Sequence, residues 1–408
     1  MKPSANPIVI IGAGAAGLMA AAELAAAGRR TVVLERGDRA GRKILISGGG
    51  RCNFTHDGDA AALLARFPQR AARFLKSAFY EFPPAEMRRW FAAHRMESVV
   101  EPDGCVFPQT GRAGDVRDAL LGAATTAEFR TSTAASAIIA AEGRVTGVET
   151  SAGRIAASAV ILAAGGPAWP TAGATGDGFT MLEALGHTVI PPRPGLAPLH
   201  ADAAWIRNLQ GVSLPRARLM CKSGRGSTSV EGPILFTHFG FSGPAALDLS
   251  LHLAETPAEI TVSLLPSYTT ESLEEQLIAV AAQHGQRRLD LLLKSVLPQR
   301  VAQAVLAAVG IPEEVWLGQL KKDWRRAAAV ALTAMPVRVT RVGGWDEAMV
   351  IVGGCALGEI KPQTLESRKV AGLYVVGELL DLAGPTGGYN LHAALSTGRL
   401  AAQSIVEM

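Results

Sequence analysis

The sequence lacks any pattern that would pair its cysteines. Its four cysteines, Cys52, Cys105, Cys221 and Cys355, lie far apart in the 408 residues and form neither a CxxC motif nor a Cys/His pair. This spacing argues against a disulfide framework and against a zinc site. We therefore expect no metal ion and a reducing, cytoplasmic environment.

A strong excess of one charge is also missing. The 40 Lys and Arg residues oppose 36 Asp and Glu, and the resulting net charge of +4 is too small to establish nucleic-acid binding, which stays open. The apolar run from Ile8 to Gly28 is interrupted by Glu23 and by glycines. We interpret it as part of a folded domain, not as a signal peptide or a membrane span.

Glycine and apolar residues are abundant. With 44 glycines and 48% hydrophobic residues, the 408 positions are enough for a substantial core divided between two or three domains. Many glycines and alanines favour tight strand-to-helix turns and close packing of helices on a sheet, as in α/β dinucleotide-binding enzymes.

A complete βαβ unit is predicted at the N-terminus. The apolar run Ile8–Ile11 suits a strand buried on both faces, and the GxGxxG pattern of residues 12–17 follows it directly. Residues 18–27 predict an alanine-rich helix, and residues 31–34 predict a second buried strand. A lone GxGxxG is weak evidence, but in this context we predict dinucleotide binding, with a structural glycine turn as the alternative.

Each residue type in this unit has a physical reason. Gly12 permits the tight turn, Gly14 lets the backbone approach a pyrophosphate, and Gly17 allows the helix to pack closely on the sheet. The helix N-terminus attracts phosphate through its free amides and its dipole. Glu35 follows Gly12 by 23 positions (35 − 12), where a carboxylate can accept hydrogen bonds from ribose hydroxyls.

Later segments decide between FAD and NAD. Residues 42–53, the glycine segment, hold three consecutive glycines among Ser, Arg, Cys and Asn, and predict a backbone surface for a planar ligand, with a flexible loop as the alternative. Residues 129–166 predict a three-stranded meander that returns to a buried strand ending in small residues, which is usual where FAD occupies the first βαβ unit. Another helix is expected to start at residues 176–178.

The C-terminus completes the predicted FAD site. Residues 372–376 read as a strand, and Glu378 directly after it can bind ribityl hydroxyls, with helix capping or a surface role as the alternative. A helix from about Leu391 to Ile405 would direct its N-terminus at the flavin. The predicted cofactor-binding residues are Gly12, Gly14, Ala16, Gly17, Glu35, Arg36, Arg42, Lys43, Ser47, Gly48, Gly49, Gly50, Arg51, Cys52, Asn53, Ala164, Gly165, Gly377, Glu378, Gly387, Gly388, Tyr389, Asn390 and Leu391.

Four motifs together resemble a known family. They are GAGAAG, GRKILISGGGRCNFT (41–55), FTHFGFSGP (236–244) and GLYVVGELLDLAGPTGGYNLHAALSTGR (372–399). The chain resembles the HI0933-like, or YhiN/BaiN-type, flavoproteins over nearly its whole length. It departs from the usual pattern at Leu379-Leu380-Asp381 and at Cys355 after two glycines, which affects the expected substrate more than the expected cofactor.

The resemblance implies a glutathione-reductase-type FAD domain interrupted by a large insertion. Roles assigned or proposed in this family include reduction of conjugated C=C bonds in steroid-like acids, oxidation of aminoacetone, and formation of dihydrouridine in ribosomal RNA. Substrate identity and oligomeric state are not predicted by either the residues or the resemblance.

The insertion itself predicts a mixed unit. Strand-like pieces at 217–221, 234–236 and 259–265 suggest a small β-barrel or β-layer, and residues 270–332 are helical in pattern. We predict an α/β fold whose domains are 1–190 with 346–408 for FAD binding, 191–268 with 333–345 for the inserted β part, and 269–332 for the inserted helical part.

The insertion has no second GxGxxG. NAD(P)H is therefore expected to bind only transiently as the electron donor, with another reductant or the substrate itself as the alternative source of electrons. His238 is the most attractive proton donor, against a structural histidine as the more frequent alternative. Arg51 could hold an anionic substrate or the pyrophosphate, and Cys52 is either a reactive thiol or a packed small residue.

We therefore predict an FAD-dependent oxidoreductase that reduces an activated C=C or C=N bond of a small organic substrate with electrons from NAD(P)H. The alternatives are reduction of uracil in ribosomal RNA, with the insertion binding the RNA, and oxidation of a small amine by O2. A flavin-binding module without activity is poorly motivated by these motifs.

Overall fold

The computed structural model describes residues 6–223 and 226–407, which form two compact units. The first contains residues 6–194 and 349–407, and the second contains the intervening described residues of 195–348. The chain passes from one unit to the other directly after Pro194, in the proline-rich segment that begins at Pro191. The further division of the insertion into β and helical domains stays a prediction.

Residues 6–195 fold into short strands and helices that follow one another closely along the chain. In chain order they are β1 (Ile8–Ile11), α1 (Ala15–Ala26), β2 (Thr31–Leu34), α2 (Arg42–Ile46), β3 (Thr55–His56), α3 (Ala60–Leu64), α4 (Gln69–Glu81), α5 (Pro84–Ala93), β4 (Ser98–Val100), β5 (Cys105–Pro108), α6 (Ala113–Ala123), β6 (Glu128–Arg130), β7 (Ala135–Ala141), β8 (Arg144–Thr150), β9 (Gly153–Ala156), β10 (Ala159–Leu162), α7 (Asp177–Ala184) and β11 (Val189–Gly195).

The remaining elements follow in the same order. They are β12 (Leu199–Ala201), α8 (Ala204–Arg207), β13 (Ser213–Ser223), β14 (Gly226–Phe236), β15 (Gly240–Ser242), α9 (Pro244–Ser250), β16 (Ala258–Ser263), α10 (Thr270–His284), α11 (Leu289–Leu293), α12 (Gln299–Ala308), α13 (Lys322–Thr333), β17 (Met335–Val342), β18 (Val350–Cys355), β19 (Leu373–Val375) and α14 (Tyr389–Glu407).

A parallel sheet joins both ends of the chain. Its strand order is β19-β10-β1-β2-β6, and Ile8–Ile11 pairs with Ala159–Leu162 on one side and with Thr31–Leu34 on the other. These strands are buried along their whole length, as expected for a sheet covered on both faces. The predicted Rossmann-like arrangement is confirmed.

Two helices from opposite ends of the chain pack closely beside this sheet. A Cβ added to Gly17 of α1 would lie 1.9 Å from the carbonyl oxygen of Gly12, and one added to Gly398 of α14 would lie 2.2 Å from that of Ala16. Only glycine allows backbones to approach this closely. The third glycine of the motif therefore has the packing role that the sequence predicted.

The predicted meander forms an antiparallel sheet in the order β7-β8-β9. Glu142 and Gly143 at its first turn have φ values of 51° and 72°, which suits the twist of a two-residue hairpin. Two helices begin two or three residues before their predicted starts. Helix α1 begins at Ala15 rather than Leu18, and α14 begins at Tyr389 rather than Leu391.

The second unit is built on a closed barrel with strand order β12-β15-β14-β13-β16-β17. This outcome resolves the alternative between a barrel and an open layer. The predicted helical stretch is divided among α10, α11, α12 and α13, and their apolar side chains share one buried cluster with the barrel interior. Within residues 6–223 and 226–407, no helix is both long enough and apolar enough to cross a membrane.

A polar cluster fastens the segment between β18 and β19 to the rest of its unit. The Glu359 carboxylate is 2.9 Å from His187 Nδ1, accepts a hydrogen bond of 2.8 Å from the Thr188 hydroxyl and pairs with Lys369 at 2.8 Å. Partial burial opposes its ionisation, but the hydrogen bonds from Lys369, Thr188 and His187 outweigh this and lower the pKa of Glu359 to about 2. The ionised carboxylate therefore stabilises the fold.

Candidate cofactor site

A cavity of about 260 Å³ lies where β1, β10 and β19 end. It is far larger than a water site, and its position at the carboxyl ends of parallel strands is where α/β folds bind ligands. Many predicted cofactor-binding residues line it, namely Gly12, Gly14, Ala16, Glu35, Arg36, Arg42, Lys43, Ser47, Ala164, Gly165, Gly377, Glu378, Asn390 and Leu391.

The first two motif glycines have different structural roles. Gly12 has φ of +101°, and a Cβ there would lie 2.5 Å from the carbonyl oxygen of Ala163. Gly14 has φ of −82° in extended backbone, and a Cβ there would meet no atom within 4 Å. Since nothing in the protein forbids a side chain at Gly14, the open space beside it fits the close approach of a ligand backbone such as a pyrophosphate.

The N-terminus of α1 is part of the cavity wall. No side chain caps it, and Ala15 and Ala16 of its first turn line the cavity beside Gly14. A phosphate is attracted there by uncapped backbone amides and the positive end of the helix dipole. This local chemistry fits the diphosphate of FAD.

The carboxylate of Glu35 is fixed by the backbone. Its Oε2 accepts a hydrogen bond of 3.1 Å from the Ala13 amide, and its Oε1 accepts one of 2.7 Å from the Gly37 amide. Each oxygen retains a further lone pair for a hydroxyl donor. The residue predicted to bind ribose is thus held in place before a ligand arrives.

An ion pair joins two distant predicted residues across the cavity wall. Lys43 Nζ lies 2.6 Å from Glu378 Oε2, and the Ile351 amide donates a 3.0 Å hydrogen bond to Glu378 Oε1. Both side chains are about one third exposed or less, at 33% and 23%. This pair brings a fixed positive and a fixed negative charge from α2 and from the turn after β19 to the same cavity.

Two predicted arginines bind a protein segment at the cavity edge. Arg36 forms an ion pair with Asp177, and Arg42 donates a 2.9 Å hydrogen bond to the carbonyl oxygen of Thr171. Asp177 also lines the cavity. Sequence reasoning missed this segment, because nothing local indicates that residues 171–177 fold back towards α2.

Most of the glycine segment does not line the cavity. Beyond Ser47, the chain turns back so that the Cys52 amide donates to the Ser47 carbonyl at 3.0 Å, and the Val106 amide donates to the Asn53 side chain at 3.2 Å. The cofactor roles predicted for Gly48, Gly49, Gly50, Arg51, Cys52 and Asn53 stay predictions.

Of the two candidate catalytic residues in that segment, Arg51 is paired with an acidic residue and Cys52 is buried. Arg51 forms an ion pair with Glu101, and its guanidinium lies 3.9 Å from the centre of the Phe107 ring. Burial raises the pKa of the Cys52 thiol to about 12. A thiol with a raised pKa carries little thiolate at neutral pH, and the choice between a reactive thiol and a packed small residue for Cys52 stays a prediction.

Residues of the GGYN motif pack against the segment around β3. A Cβ at Gly388 would lie 2.4 Å from the Thr55 carbonyl oxygen, and the Tyr389 ring stacks on His56 at 4.9 Å. Asn390 donates a 2.8 Å hydrogen bond to the carbonyl oxygen of Gly384. Gly387, Gly388 and Tyr389 thus anchor the start of α14, and their contact with a cofactor stays a prediction.

His238 belongs to the second unit. It is exposed at the turn between β14 and β15, where its ring makes an edge contact of 4.9 Å with Phe239. The turn is held by a 2.9 Å hydrogen bond from the Thr237 amide to the Gly240 carbonyl oxygen. An exposed imidazole on a fixed turn suits a proton donor, and this role stays a prediction.

Sequence reasoning missed one wall of the cavity. Met349, Val350 and Ile351, at and before the start of β18, line it together with Thr133 and Met181. Gly166 fits closely against this wall, because a Cβ there would lie 2.7 Å from Ile351 Cδ1. A buried apolar strand without a motif carries no local signal for a ligand site.

Comparisons with known proteins agree with this geometry. The profile of a family described as the HI0933-like protein Rossmann domain matches residues 6–404. The ribosomal RNA dihydrouridine synthase of Escherichia coli (strain K12) is 32% identical over 98% of this chain and 97% of that protein. The 3-dehydro-bile acid delta(4,6)-reductase of Clostridium scindens is 29% identical over 98% of this chain and 99% of that protein.

A solved structure shows the same fold. The 3-ketosteroid-delta4-(5alpha)-dehydrogenase from Rhodococcus jostii RHA1 matches with a TM-score of 0.52 and 16% identity, over 98% of this chain and 96% of that chain. At this identity the likeness concerns the arrangement of the chain alone.

Proposed function

Because this chain belongs to the HI0933-like family and is an FAD-dependent oxidoreductase, we propose that it reduces a C=C bond conjugated to a carbonyl group, with electrons from NAD(P)H. The observation that carries the proposal is the chemistry shared by two full-length relatives. One is named for making dihydrouridine and the other for reducing a bile acid at positions 4 and 6. Uracil and an enone both present a C=C bond polarised by a carbonyl group.

The reaction requires a hydride at one carbon and a proton at its neighbour. FAD, when bound, supplies the two-electron hydride step. The chain's residues would bind and orient FAD. The N-terminus of α1 would hold its phosphates and Glu35 would accept hydrogen bonds from its ribose hydroxyls. The Lys43–Glu378 pair places opposite charges on the cavity wall. NAD(P)H is oxidised to NAD(P)+, and His238 is our proposed proton donor to the substrate carbon.

Uracil in RNA is the substrate that we favour over a steroid-like acid. The relative with the higher identity, at 32%, is the one named for ribosomal RNA. This assignment replaces the small organic substrate as the first candidate, while the enone remains the second because the bile acid reductase matches over 98% of the chain.

Anaerobic stopped-flow spectroscopy tests the proposal. NADPH or NADH should bleach the yellow protein, and addition of a uridine-containing RNA or of an enone should restore the colour with formation of the saturated product. Failure of both nicotinamides to bleach it would exclude the proposed donor. In a separate assay with O2 present, hydrogen peroxide formation with aminoacetone, without reduction of either C=C substrate, would instead favour the amine oxidase.

A single substitution tests the proposed proton donor. His238→Gln should slow reoxidation by the substrate by about 100-fold or more, the usual contribution of a positioned acid, and leave reduction by NADPH unchanged. His284→Gln is the matched control, since His284 is an exposed histidine at the end of α10 in the same unit. Equal rates for the two variants would remove His238 from the mechanism.

A further inference from the structure

Helix α4 has two opposite faces of different chemistry. The apolar side chains on one side are buried in the core of the first unit, namely Ala71, Phe74, Leu75, Ala78 and Phe79. On the other side, Arg70, Arg73 and Lys76 are exposed, and Arg66 is exposed in the turn before the helix. At about 100° per residue the three cations within the helix fall within an arc of about 120°. We name these three residues and Arg66 the basic stripe.

The charge of the basic stripe is not neutralised locally. No ion pair joins any of its four side chains to an acidic residue in the described part of the chain, whereas other surface arginines are paired, such as Arg117 with Asp118 and Arg326 with Glu271. The acidic residue of α4 is Glu81, at its last position. Four like charges on one face repel one another, so an anionic partner would relieve this repulsion.

The stripe begins near the start of α14. The Arg66 guanidinium lies 5.7 Å from the centre of the Tyr389 ring. Tyr389 is the first residue of α14, and the next two residues, Asn390 and Leu391, line the cavity. A phosphate bound by Arg66 would therefore lie close to the start of α14, the helix whose second and third residues line the cavity.

We propose that the basic stripe binds the phosphate backbone of single-stranded RNA whose target base is reduced at the cavity, an inference that rests on the proposed function. Guanidinium and ammonium groups at successive turns of one helix suit successive phosphates. The exposed ring of Tyr80, 6.0 Å from Lys76 Nζ, offers a stacking surface for a base. This places the RNA surface on the FAD-binding unit, not on the insertion.

An anionic membrane fits the stripe less well than RNA does. A helix that lies on a bilayer inserts its apolar face, and the apolar face of α4 is already buried in the protein. Tyr80 is the large hydrophobic residue that α4 leaves exposed. The basic stripe offers positive charge but no free apolar face, and this combination favours a soluble polyanion over a membrane as its partner.

The test compares two triple variants of the flavin-containing protein. R70Q/R73Q/K76Q removes three charges of the stripe, and K222Q/K294Q/K322Q removes three exposed lysines of the insertion. Binding of a fluorescein-labelled oligouridylate is measured by anisotropy across a salt series, with the oxidised protein and without turnover. Loss of three contacts at about 0.7 per phosphate should lower the salt slope by about 2 and weaken binding about 100-fold near 0.1 M salt.

The outcomes separate the proposal from its alternatives. The stripe variant should lose affinity while the lysine variant keeps it, with unchanged flavin absorbance showing that both are folded. Equal affinities of the stripe variant and the wild type for the oligouridylate would overturn the proposal. A loss of affinity confined to the lysine variant would also overturn it. So would a stripe variant that loses binding to phosphatidylglycerol vesicles but keeps its affinity for the oligouridylate. Because the assay involves no reduction, failure of the proposed C=C chemistry would leave the RNA-binding result intact and recognisable.

Discussion

Alanine substitutions at Gly12 and Gly14 should separate folding from cofactor binding within one motif. Gly14→Ala introduces a methyl group into space that is empty of protein atoms, at a φ of −82° that alanine adopts freely. The flavin-free variant should therefore fold with a stability within about 1 kcal/mol of the wild type, because the unfolded chain loses freedom whereas the N-cap position of α1 prefers glycine to alanine. The same methyl group should occupy the space that a pyrophosphate needs.

The expected loss of flavin affinity follows from overpacking. Forcing a methyl group into a filled contact costs about 1–3 kcal/mol, which is about 5- to 150-fold in the dissociation constant. Gly12→Ala is the contrasting variant. Its left-handed φ and its 2.5 Å approach to the Ala163 carbonyl oxygen should cost about 2–6 kcal/mol of stability from strain and overlap together.

Two measurements on each protein decide the outcome. Chemical denaturation of the flavin-free form gives the free energy of unfolding, and titration with FAD followed by flavin fluorescence gives the affinity. If Gly14→Ala binds FAD as tightly as the wild type, the dinucleotide does not pass beside Gly14, and our placement of the phosphates is wrong. If Gly12→Ala is as stable as the wild type, the argument from its backbone geometry fails.

Three further predictions concern packing and ionisation. Gly398→Ala should destabilise the protein by at least about 1–3 kcal/mol in urea, because its methyl group would meet the Ala16 carbonyl oxygen; the control Gly122→Ala, exposed in α6 with no atom within 4 Å, should gain about 0.5–1 kcal/mol. The pKa of Glu359 is about 2 in the folded state and 4.5 is its ordinary value, so its stabilising effect is complete above pH 4.5 and is lost as the pH falls towards 2. Glu359→Gln should therefore flatten the dependence of the free energy of unfolding on pH in that range, and parallel curves for the variant and the wild type would contradict the assignment. Cys52, whose pKa is raised to about 12 by burial, should resist iodoacetamide in the native protein at neutral pH, as followed by peptide mass spectrometry, whereas rapid labelling would show an accessible thiolate.

The local sequence was sufficient to predict those elements whose conformation depends only on residues within a short segment. The strand Ile8–Ile11, the glycine turn after it and the strand ending before Glu35 form one unit in which each residue type is dictated by its neighbours. The hairpin at Glu142–Gly143 is similar, because its left-handed backbone depends on two adjacent residues. Such features can be predicted without knowledge of the remaining chain.

The limits of that prediction are visible in the glycine segment. Ser47 and Cys52 are five positions apart, yet Ser47 lines the cavity and Cys52 is buried outside it. Composition alone could not distinguish them, because glycines permit many backbone paths and the path was chosen by distant contacts such as Asn53 with Val106. A left-handed turn at Gly48 and Gly49 reverses the chain between them.

Short-range periodicity and glycine geometry were sufficient to predict the parallel-sheet unit and the glycine turn within it. The absence of a second GxGxxG motif was sufficient to set the insertion apart. Tertiary structure alone decided which distant groups meet: Lys43 with Glu378, Arg36 with Asp177, and the wall at Ile351. The physical reason is that a contact between residues hundreds of positions apart has no local pattern. It arises only when the parallel sheet and its packed helices bring the two ends of the chain together.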